Sequence, residues 1–467
     1  MSAMIECPYM AGLPVAVMGL GKSGLPTASA LMASGAEVWA WDDDAAKRDE
    51  AKAAGIPVVD LRACDWSQLT TLVLSPGIPH TWPKPHPVAA AARAAGVEII
   101  GDIELLARAQ RDPAYVGITG TNGKSTTTAL IGHVFRQAGR TVEVGGNIGT
   151  PALSLKPLGE GGFYAIEMSS YQLELTVSIT FDIAVLLNIT ADHLERHGGM
   201  DGYIAAKKRI FHRQTGRRTA VIGVDDDHCR AIHADLKRRG DQTILPISSE
   251  IAVEGGVYAQ DGLLIDDIAG EGAPALDLRE VPTLPGRHNW QNAAAAYAAA
   301  RAAGIAREAI AAGIRSYPGL AHRQELVGTV DGVRFVNDSK ATNADAAAKA
   351  LACYDAIWWI AGGKPKEGPL DAVHPHLAHV RRAFLIGEAA PRFARELDGL
   401  VALEQCGELA NATERAFAAA RADRARDPVV LLSPACASFD QFANFEARGE
   451  AFRALVADLA ARKGAMQ

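Results

Sequence analysis

The sequence predicts an α/β protein built of three doubly wound units, and two observations support this. Short apolar runs alternate with helical segments along most of the 467 residues, as in parallel strands joined by crossover helices. A chain of this length exceeds one ordinary core, since domains hold roughly 100 to 200 residues. We place the boundaries at Pro113, before a new strand, and at the Pro318-Gly319 hinge. The expected domains are 1–112, 113–317 and 318–467.

Composition excludes several classes of protein. The chain is 48% hydrophobic and 22% charged with a net charge of -7, which is globular and mildly acidic and disfavours a nucleic-acid partner. Its six cysteines include no C-x-x-C pair, so neither a zinc site nor a disulfide framework is indicated. The N-terminus does not resemble a signal peptide, and no apolar run approaches the ~18 residues of a membrane span. We expect a cytoplasmic protein with no membrane partner.

The first domain carries a glycine motif between a strand and a helix. The strands are expected at PVAVMGL, EVWAWDD, TTLVLSPG and VEII, and residues 19–24 read GLGKSG directly after the first. Asp42 follows about twenty residues later, which matches a dinucleotide fingerprint. Two interpretations stay open: the motif binds a nucleotide-like ligand, such as a nucleotide-tagged substrate, or it is a close-packed turn without a ligand.

The second domain begins with a phosphate-binding loop. Residues 117–126 read GITGTNGKST between a strand that ends near Thr119 and a helix, so backbone N–H groups converge at the helix N-terminus. Lys124 is suited to neutralise phosphate charge, and a hydroxyl of Ser125 or Thr126 to bind Mg²⁺. A strict phosphate loop has glycine where this chain has Ile118. The alternative is a plain glycine turn.

Two further polar residues follow strands of the same sheet. Glu167 ends the strand FYAIE, and His193 lies in the loop after FDIAVLLN. Because ligands bind at the carboxyl edge of parallel sheets, Glu167 is a candidate Mg²⁺ ligand and His193 a second one. The structural alternatives are an N-cap or surface partner for Glu167 and a structural histidine at 193.

A third α/β unit runs through GVRFVNDS, AIWWIAGG, AFLIG and PVVLLSPA. An Ala-rich helix is expected at 292–304, whereas 240–286 gives no clear pattern. Polar clusters occur in GRHNWQNAAAA, GLAHR, NDSKATN and CASFDQF, and polar loop residues often bind ligands. Asp338 and Ser339 have the alternative explanation of a helix cap.

Taken together, these segments resemble the Mur ligase family. The motifs that carry the resemblance span nearly the whole chain: TGTNGKST, GNIG, EMSSYQLE, NITADHLERH, YIAAK, LPGRHNWQNAAAA, GLAHR, NDSKATN and SPACASFDQFANFEARG. The family spaces its loop G-x-x-G-T-N-G-K-[ST], which accounts for Ile118. The resemblance implies an N-terminal Rossmann-like parallel sheet, a central P-loop ATPase-like α/β domain and a C-terminal Rossmann-like α/β domain.

The resemblance also implies an activity. It is ATP-dependent ligation of D-glutamate to UDP-N-acetylmuramoyl-L-alanine, a step of peptidoglycan precursor synthesis, through an acyl phosphate and a tetrahedral intermediate. The implied cofactors are ATP, two Mg²⁺ ions and CO₂, the last as a carbamate on Lys207. The protein is expected to be a monomer with small-molecule substrates.

The family's functional residues carry over to matching positions. Lys124, His193 and Lys207 are implied as catalytic. ATP-binding residues are implied at Gly120, Thr121, Asn122, Gly123, Lys124, Ser125, Thr126, Asn289, Arg323 and Asp338. The implied contacts to the uridine-linked substrate and to glutamate are Lys22, Ser23, Ser75, Pro76, Gly77, Asn147, Lys340, Thr342, Ser438 and Phe445. Metal ligands are implied at Ser125, Glu167, His193 and Lys207.

Three alternatives remain at this point. Another amide ligase of the superfamily, such as a folylpolyglutamate synthase or a Mur ligase for a different amino acid, would share most of these motifs. An NAD-dependent oxidoreductase built on GLGKSG would bind nicotinamide and transfer hydride. A non-catalytic nucleotide switch would hydrolyse ATP slowly and form no amide.

Overall fold

The computed structural model describes residues 4–365 and 368–464, and the chain divides into two compact units. The first unit holds Met1–Glu280 and Asn289–Tyr317, and the second holds Val281–His288 and Pro318–Gln467. The described residues form three sheets of four, nine and six strands. The predicted α/β class is confirmed, whereas the bounds of the three domains stay predictions.

The four-stranded sheet is parallel, with strand order β2-β1-β3-β4. Every residue of its inner strand β3 is buried, because helices cover both faces of such a sheet. The strands are β1 (Pro14–Met18), β2 (Glu37–Trp41), β3 (Thr71–Leu74) and β4 (Glu98–Ile100), and the helices are α1 (Gly24–Ala33), α2 (Ala45–Ala53), α3 (Pro87–Ala94) and α4 (Asp102–Ala109).

The nine-stranded sheet holds the phosphate-binding loop and has the order β13-β12-β11-β10-β9-β8-β5-β7-β6. The seven strands β5 to β11 pair in parallel. Strand β12 is antiparallel to β11, and β13 is antiparallel to β12. The strands are β5 (Ala114–Thr119), β6 (Val142–Gly146), β7 (Phe163–Glu167), β8 (Ile183–Leu186), β9 (Thr219–Gly223), β10 (Thr243–Ser248), β11 (Val257–Gln260), β12 (Leu263–Asp266) and β13 (Ala273–Asp277). The helices are α5 (Lys124–Gln137), α6 (Ser170–Glu174), α7 (Leu194–His197), α8 (Met200–Lys208), α9 (Asp227–Arg239), α10 (Arg287–Ala302) and α11 (Arg307–Arg315).

Two parts of this region differ from the sequence-based expectation. The unreadable segment 240–286 forms β10 to β13, and its central hairpin turns at Asp261 and Gly262, both with positive φ. An Asp-Gly pair between short strands is a strong hairpin signal, so this turn is readable from the sequence although it is not among the predicted features. The Ala-rich helix was expected at 292–304, but α10 begins at Arg287 and so includes the polar residues before the alanines.

The six-stranded sheet lies in the second unit, with the order β14-β15-β19-β16-β17-β18. Only β14 is antiparallel to its neighbour. Trp358 and Trp359 of β16 point to opposite faces, each into its own hydrophobic cluster. The strands are β14 (Glu325–Val330), β15 (Val333–Asn337), β16 (Ile357–Gly362), β17 (Val380–Ile386), β18 (Leu403–Gly407) and β19 (Val429–Leu432), and the helices are α12 (Ala344–Leu351), α13 (Ala390–Glu396), α14 (Leu409–Asp423) and α15 (Phe445–Gly464).

Short 3-10 helices complete the description, at Pro8–Met10, Trp66–Gln68, Ala152–Ser154, Arg209–Phe211, Leu278–Glu280 and Asp371–His379. Within the described ranges, every helix is too short or too polar to cross a membrane.

Candidate active site

The phosphate-binding loop joins β5 to α5 at the carboxyl edge of the nine-stranded sheet. Gly120 and Gly123 have φ values of 156° and 85°, in the region that favours glycine. A residue just after β8 also holds the loop: Asn188 Oδ1 accepts a hydrogen bond from the N–H of Asn122 at 2.9 Å. Lys124 Nζ donates to the carbonyls of Gly120 and Thr121 at 3.0 and 2.8 Å. The lysine and the N-terminus of α5 therefore belong to one positively charged turn.

Glu167 lies at the end of β7 with 2% of its surface exposed. Its Oε1 accepts from Asn147 Nδ2 at 2.7 Å, and its Oε2 is buried without a hydrogen-bond partner among the described residues. An unpartnered buried carboxylate oxygen is costly unless a cation satisfies it. Glu167 therefore fits a Mg²⁺ ligand, and the alternatives of an N-cap or surface partner do not describe it.

The described residues contain no group of three or more His, Cys, Asp and Glu side chains arranged to hold a metal. A Mg²⁺ ion next to Glu167 would therefore need other oxygen ligands. Ser125, nearly buried as the second residue of α5, supplies a hydroxyl of the hard type that Mg²⁺ prefers, and phosphate oxygens supply more.

Lys207 of α8 is only 1% exposed and lies against the phosphate-binding loop. Its Nζ donates to the carbonyl of Gly120 at 2.7 Å and lies 4.7 Å from the ring centre of Tyr203. Burial, and then the nearby Lys124 ammonium, lower the pKa of Lys207 well below its ordinary value. Tyr203 in turn hydrogen-bonds through its hydroxyl to Thr121 at 3.1 Å. Tyr203 is not among the predicted site residues, although it begins the YIAAK motif.

His193 directly precedes α7 with a left-handed φ of 53°. About half of its side chain is exposed, and its Nε2 is 3.6 Å from Asp192. It lines a cleft of about 400 Å³ together with Lys124 and Lys207. The structure therefore places His193 with the two lysines.

This cleft also collects residues from the N-terminal glycine motif. Its other lining residues are Lys22, Ser23, Pro76, Gly77, Gly146, Asn147, Pro151, Ser169, Ser170, Tyr171, Gln172, Asp192 and Tyr203. An adjoining cavity of about 330 Å³ shares Lys22, Ser23, Pro76 and Gly77, and is also lined by Ser75. A ligand long enough to reach from one glycine motif to the other has a continuous path.

The N-terminal glycine motif is itself tightly packed. A Cβ at Gly24 would lie 1.7 Å from the carbonyl of Gly19, so this position requires glycine. Asp42 accepts from the N–H groups of Leu20 and Asp44 at 2.6 and 2.9 Å, so it fastens the turn. The motif is therefore a close-packed turn that lies beside a cavity, and its binding of a nucleotide-like ligand stays a prediction.

In the second unit, Asp338 is buried at the end of β15. Its carboxylate accepts from the N–H of Gln324 at 3.2 Å and from Ser433 Oγ at 2.9 Å, and burial raises its pKa to about 7. The capping alternative for Asp338 is wrong, because Asn343 caps α12. Arg323 lies beside Asp338's partner Gln324, in a segment where residues 322 and 324 both have positive φ.

The buried Arg448 contacts the two loops that carry the remaining predicted residues of the second unit. Arg448 donates to the carbonyls of Ser339 and Cys436 at 2.9 and 3.1 Å, which ties two loops together. One loop carries Lys340, whose Nζ is 3.7 Å from the ring centre of Phe445, and half-buried Thr342. The other carries Ser438, which is buried. The FEARG motif contained Arg448, but its role required the tertiary structure.

Asn289 is the last predicted site residue, near the start of α10. It is 7% exposed, and its Oδ1 accepts from Asn292 Nδ2 at 3.1 Å. Asn292 Oδ1 accepts from Thr127 Oγ1 of α5 at 3.2 Å, so α10 packs against the helix of the phosphate-binding loop.

Comparison with known proteins identifies the family. The Mur ligase middle domain matches residues 118–300, and the Mur ligase glutamate ligase domain matches residues 322–436. The chain belongs to the Mur ligase family, whose members are ATP-dependent ligases that use Mg²⁺. It is similar over its full length to proteins named UDP-N-acetylmuramoylalanine--D-glutamate ligase. That of Rhodospirillum rubrum is 54% identical and covers 100% of this chain and 98% of its own. That of Paramagnetospirillum magneticum is 52% identical and covers 97% of this chain and 98% of its own. That of Caulobacter vibrioides is 53% identical and covers 96% of this chain and 97% of its own.

Solved structures show the same fold. UDP-N-acetylmuramate-alanine ligase MurC from Thermotoga maritima superimposes with a TM-score of 0.57 at 16% identity, covering 96% of this chain and 99% of its own. MurF from Acinetobacter baumannii has a TM-score of 0.55 at 20% identity, covering 76% of this chain and 79% of its own. The matches to the Mur ligase domains and the full-length relatives confirm the recognition of the family and exclude the oxidoreductase and nucleotide-switch alternatives.

Proposed function

We propose that this protein joins D-glutamate to the terminal carboxylate of UDP-N-acetylmuramoyl-L-alanine at the expense of ATP, in peptidoglycan precursor synthesis. One observation carries the proposal: the glycine motif of the four-stranded sheet and the phosphate-binding loop of the nine-stranded sheet open into one continuous cleft. The full-length relatives named for this reaction support it.

We place the nucleotide-sugar substrate along this cleft. The uridine diphosphate part would lie in the cavity lined by Ser75, Pro76 and Gly77, with Lys22 and Ser23 at the diphosphate. A Cβ at Gly77 would meet no atom within 4 Å, so this side of the cavity is open to a ligand. The sugar and its peptide would extend past Asn147 toward the phosphate-binding loop.

The loop residues would bind and activate the triphosphate. Gly120 to Gly123 and the N-terminus of α5 would surround its phosphates, with Lys124 at the transferred group and Thr126 beside it. The substrate carboxylate attacks that group and ADP leaves, which gives an acyl phosphate. The amine of glutamate then attacks the acyl carbon, and the tetrahedral intermediate loses inorganic phosphate and a proton to form the amide. Lys124 reduces the repulsion between two anions that otherwise keeps the reactants apart.

Two Mg²⁺ ions would bind beside the loop, one held by Glu167 and Ser125 and one by His193 and Lys207. Bound there, Mg²⁺ supplies charge stabilisation for the phosphoryl group. The buried, unpartnered Oε2 of Glu167 supports the first site.

For the second Mg²⁺ site we propose that the amine of Lys207 reacts with CO₂ to form a carbamate. A lysine ammonium cannot coordinate a cation, whereas a carbamate supplies anionic oxygen atoms. The position of Lys207 supports this, because its Nζ is buried against the carbonyl of Gly120 in the same cleft as His193.

For the second unit, we propose that Arg323 and Asp338 contact the adenosine part of ATP. For the first unit, we propose the same role for Asn289. Lys340, Thr342, Ser438 and Phe445 would bind the incoming glutamate. The buried Arg448, which ties the loops of Lys340 and Ser438 together, supports a shared role for them. A monomeric state and a cytoplasmic location remain predictions from the sequence.

The deciding experiment measures phosphate release by the full chain with ATP, Mg²⁺ and UDP-N-acetylmuramoyl-L-alanine. D-glutamate should stimulate release and appear in the product, whereas L-glutamate, glycine and D-alanine should not. Preference for a different amino acid would refute the substrate assignment, and failure to join any amino acid would refute the ligase proposal itself.

A further inference from the structure

Ser170, His197 and Glu174 form a hydrogen-bonded chain that ends in the cleft. Ser170 Oγ and His197 Nε2 are 2.9 Å apart, and His197 Nδ1 and Glu174 Oε1 are also 2.9 Å apart. The His197 side chain is fully buried, Glu174 is 17% exposed, and Ser170 lines the cleft. The proposed ligase mechanism uses none of the three.

Helix capping does not account for the Ser170 hydroxyl. Ser169 is the N-cap of α6: its hydroxyl accepts from the N–H of Gln172, and the Gln172 side chain accepts from the N–H of Ser169. This reciprocal pair is a complete capping box. Ser170 therefore keeps its hydroxyl for His197 and for the cleft.

The chemistry of the chain decides where each proton lies. A carboxylate only accepts hydrogen bonds, so the His197 nitrogen facing Glu174, Nδ1, must carry a proton. Burial lowers the pKa of His197, so the ring is neutral and Nε2 is an acceptor. Ser170 then donates its proton to Nε2. What Ser170 presents to the cleft is an oxygen with free lone pairs, which is a hydrogen-bond acceptor.

The surroundings hold this arrangement in place. The His197 ring lies between Tyr171 and Tyr203, with both ring-centre distances at 5.4 Å. On the far side of Glu174, His80 Nε2 and Arg196 Nη1 lie 3.3 and 3.8 Å from Oε2. Burial raises the pKa of Glu174, but the adjacent His80 and His197 side chains outweigh it and keep the pKa below its ordinary value. Glu174 is thus an anion.

We propose that Ser170 is a further substrate-contacting residue, which accepts a hydrogen bond from an N–H or O–H of the sugar-peptide part of the nucleotide-sugar substrate. His197 and Glu174 are positioning residues that keep Ser170 in the acceptor role. This inference rests on the proposed function, because that function supplies a substrate rich in amide and hydroxyl donors.

The test compares Ser170→Ala, Glu174→Gln and the double variant of the full chain in the ligase assay. Ser170→Ala removes the acceptor, and loss of one such hydrogen bond should raise KM for the nucleotide-sugar about tenfold while KM for ATP stays unchanged. Ser170→Cys keeps the volume and offers only a weak acceptor, so it should give the same result if the alanine variant folds poorly.

Glu174→Gln should have the same effect although Ser170 is still present. In the wild type, Oε2 faces His80 Nε2 and the Arg196 guanidinium, which can only donate, so the new amide should turn its oxygen toward them and its NH₂ toward His197. His197 Nδ1 then becomes the acceptor, and Nε2–H donates to Ser170. Ser170 becomes a donor toward the cleft, so the acceptor is lost.

Three outcomes support the proposal together: a raised KM in each single variant, no additional rise in the double variant, and a proton on His197 Nδ1 in the wild type. The proton is located by ¹⁵N NMR with labelled histidine, with the signal assigned by its absence in His197→Gln. Glu195→Gln, which changes an exposed carboxylate on the same helix as His197, is the matched control and should leave KM unchanged.

Two results would overturn the proposal in an active enzyme: a KM that Ser170→Ala does not change, or additive effects of the two substitutions. A wild-type protein that forms no amide would instead refute the proposed function, and the inference with it.

Discussion

Replacing Gly123 with alanine tests the geometry of the phosphate-binding loop most directly. Gly123 has a φ of 85°, and an added Cβ would lie 2.2 Å from Asn292 Oδ1, which accepts from Thr127 Oγ1. A left-handed backbone costs a non-glycine residue about 1 to 2 kcal/mol. Displacing the buried Asn292 amide loses a hydrogen bond of about 0.5 to 1.5 kcal/mol. Together these terms lower the free energy of unfolding by about 1.5 to 3.5 kcal/mol.

Gly139 provides a matched control just beyond the other end of the same helix. Its φ is 74°, but an added Cβ would meet nothing within 4 Å. Gly139→Ala therefore carries only the backbone cost of about 1 to 2 kcal/mol. Urea denaturation of both variants separates the steric contribution from the backbone contribution.

The two variants should also differ in activity. Moving the loop by about 1 Å is expected to reduce D-glutamate-dependent phosphate release on the order of 100-fold in Gly123→Ala. Gly139→Ala should retain wild-type activity, since the end of α5 at Gln137 lies far from the phosphates. Equal stability of the two variants, or an active Gly123→Ala enzyme, would show that the loop does not require this close packing.

Three further predictions concern charged groups of the proposed site. Lys207→Ala should lose most ligase activity. Excess bicarbonate should not restore the activity, whereas a short carboxylate such as formate should restore it partly. Full activity of the Lys207→Ala enzyme without any addition would exclude the carbamate. Lys124→Ala should abolish positional isotope exchange in ATP when the sugar substrate is present without D-glutamate. Exchange at the wild-type rate would show that Lys124 is not needed to form the acyl phosphate. Burial raises the pKa of Asp338 from 3.8 to about 7, so the folded state holds its proton more tightly than the unfolded state. The stability of the second unit should therefore fall as pH rises from about 4 to about 7, by on the order of 4 kcal/mol, and Asp338→Asn should remove this fall in urea titrations at several pH values.

Parallel strands were the part of the fold that the sequence predicted best. The segment FYAIE is β7 residue for residue, and FDIAVLLN contains β8, because strands covered on both faces need continuous apolar runs. The parallel strands β10 and β11 and the antiparallel strands β12, β13 and β14 were missed. Each of them includes exposed or half-buried residues that interrupt the apolar run, so their sequences carry little hydrophobic pattern.

Motif residues were predicted because their chemistry is local. A glycine with positive φ, a lysine at a helix N-terminus and a carboxylate at a strand end each leave a signal within a few residues. Tyr203, His197 and Arg448 left no such signal. Each acts through partners far away in sequence, as when Arg448 binds the loop of Ser339 more than a hundred residues earlier.

The sequence by itself therefore determined the α/β class, the family and the residue types available for phosphate and metal chemistry. Only the tertiary structure decided that the two glycine motifs share a cleft, that Glu167 keeps an unpartnered oxygen and that Ser170 faces the cleft as an acceptor. The physical reason is that hydrogen bonds and burial depend on which distant segments meet. A sequence pattern reflects the local preferences of the backbone. Which atom donates and which accepts in a buried series of hydrogen bonds depends instead on every group packed around it.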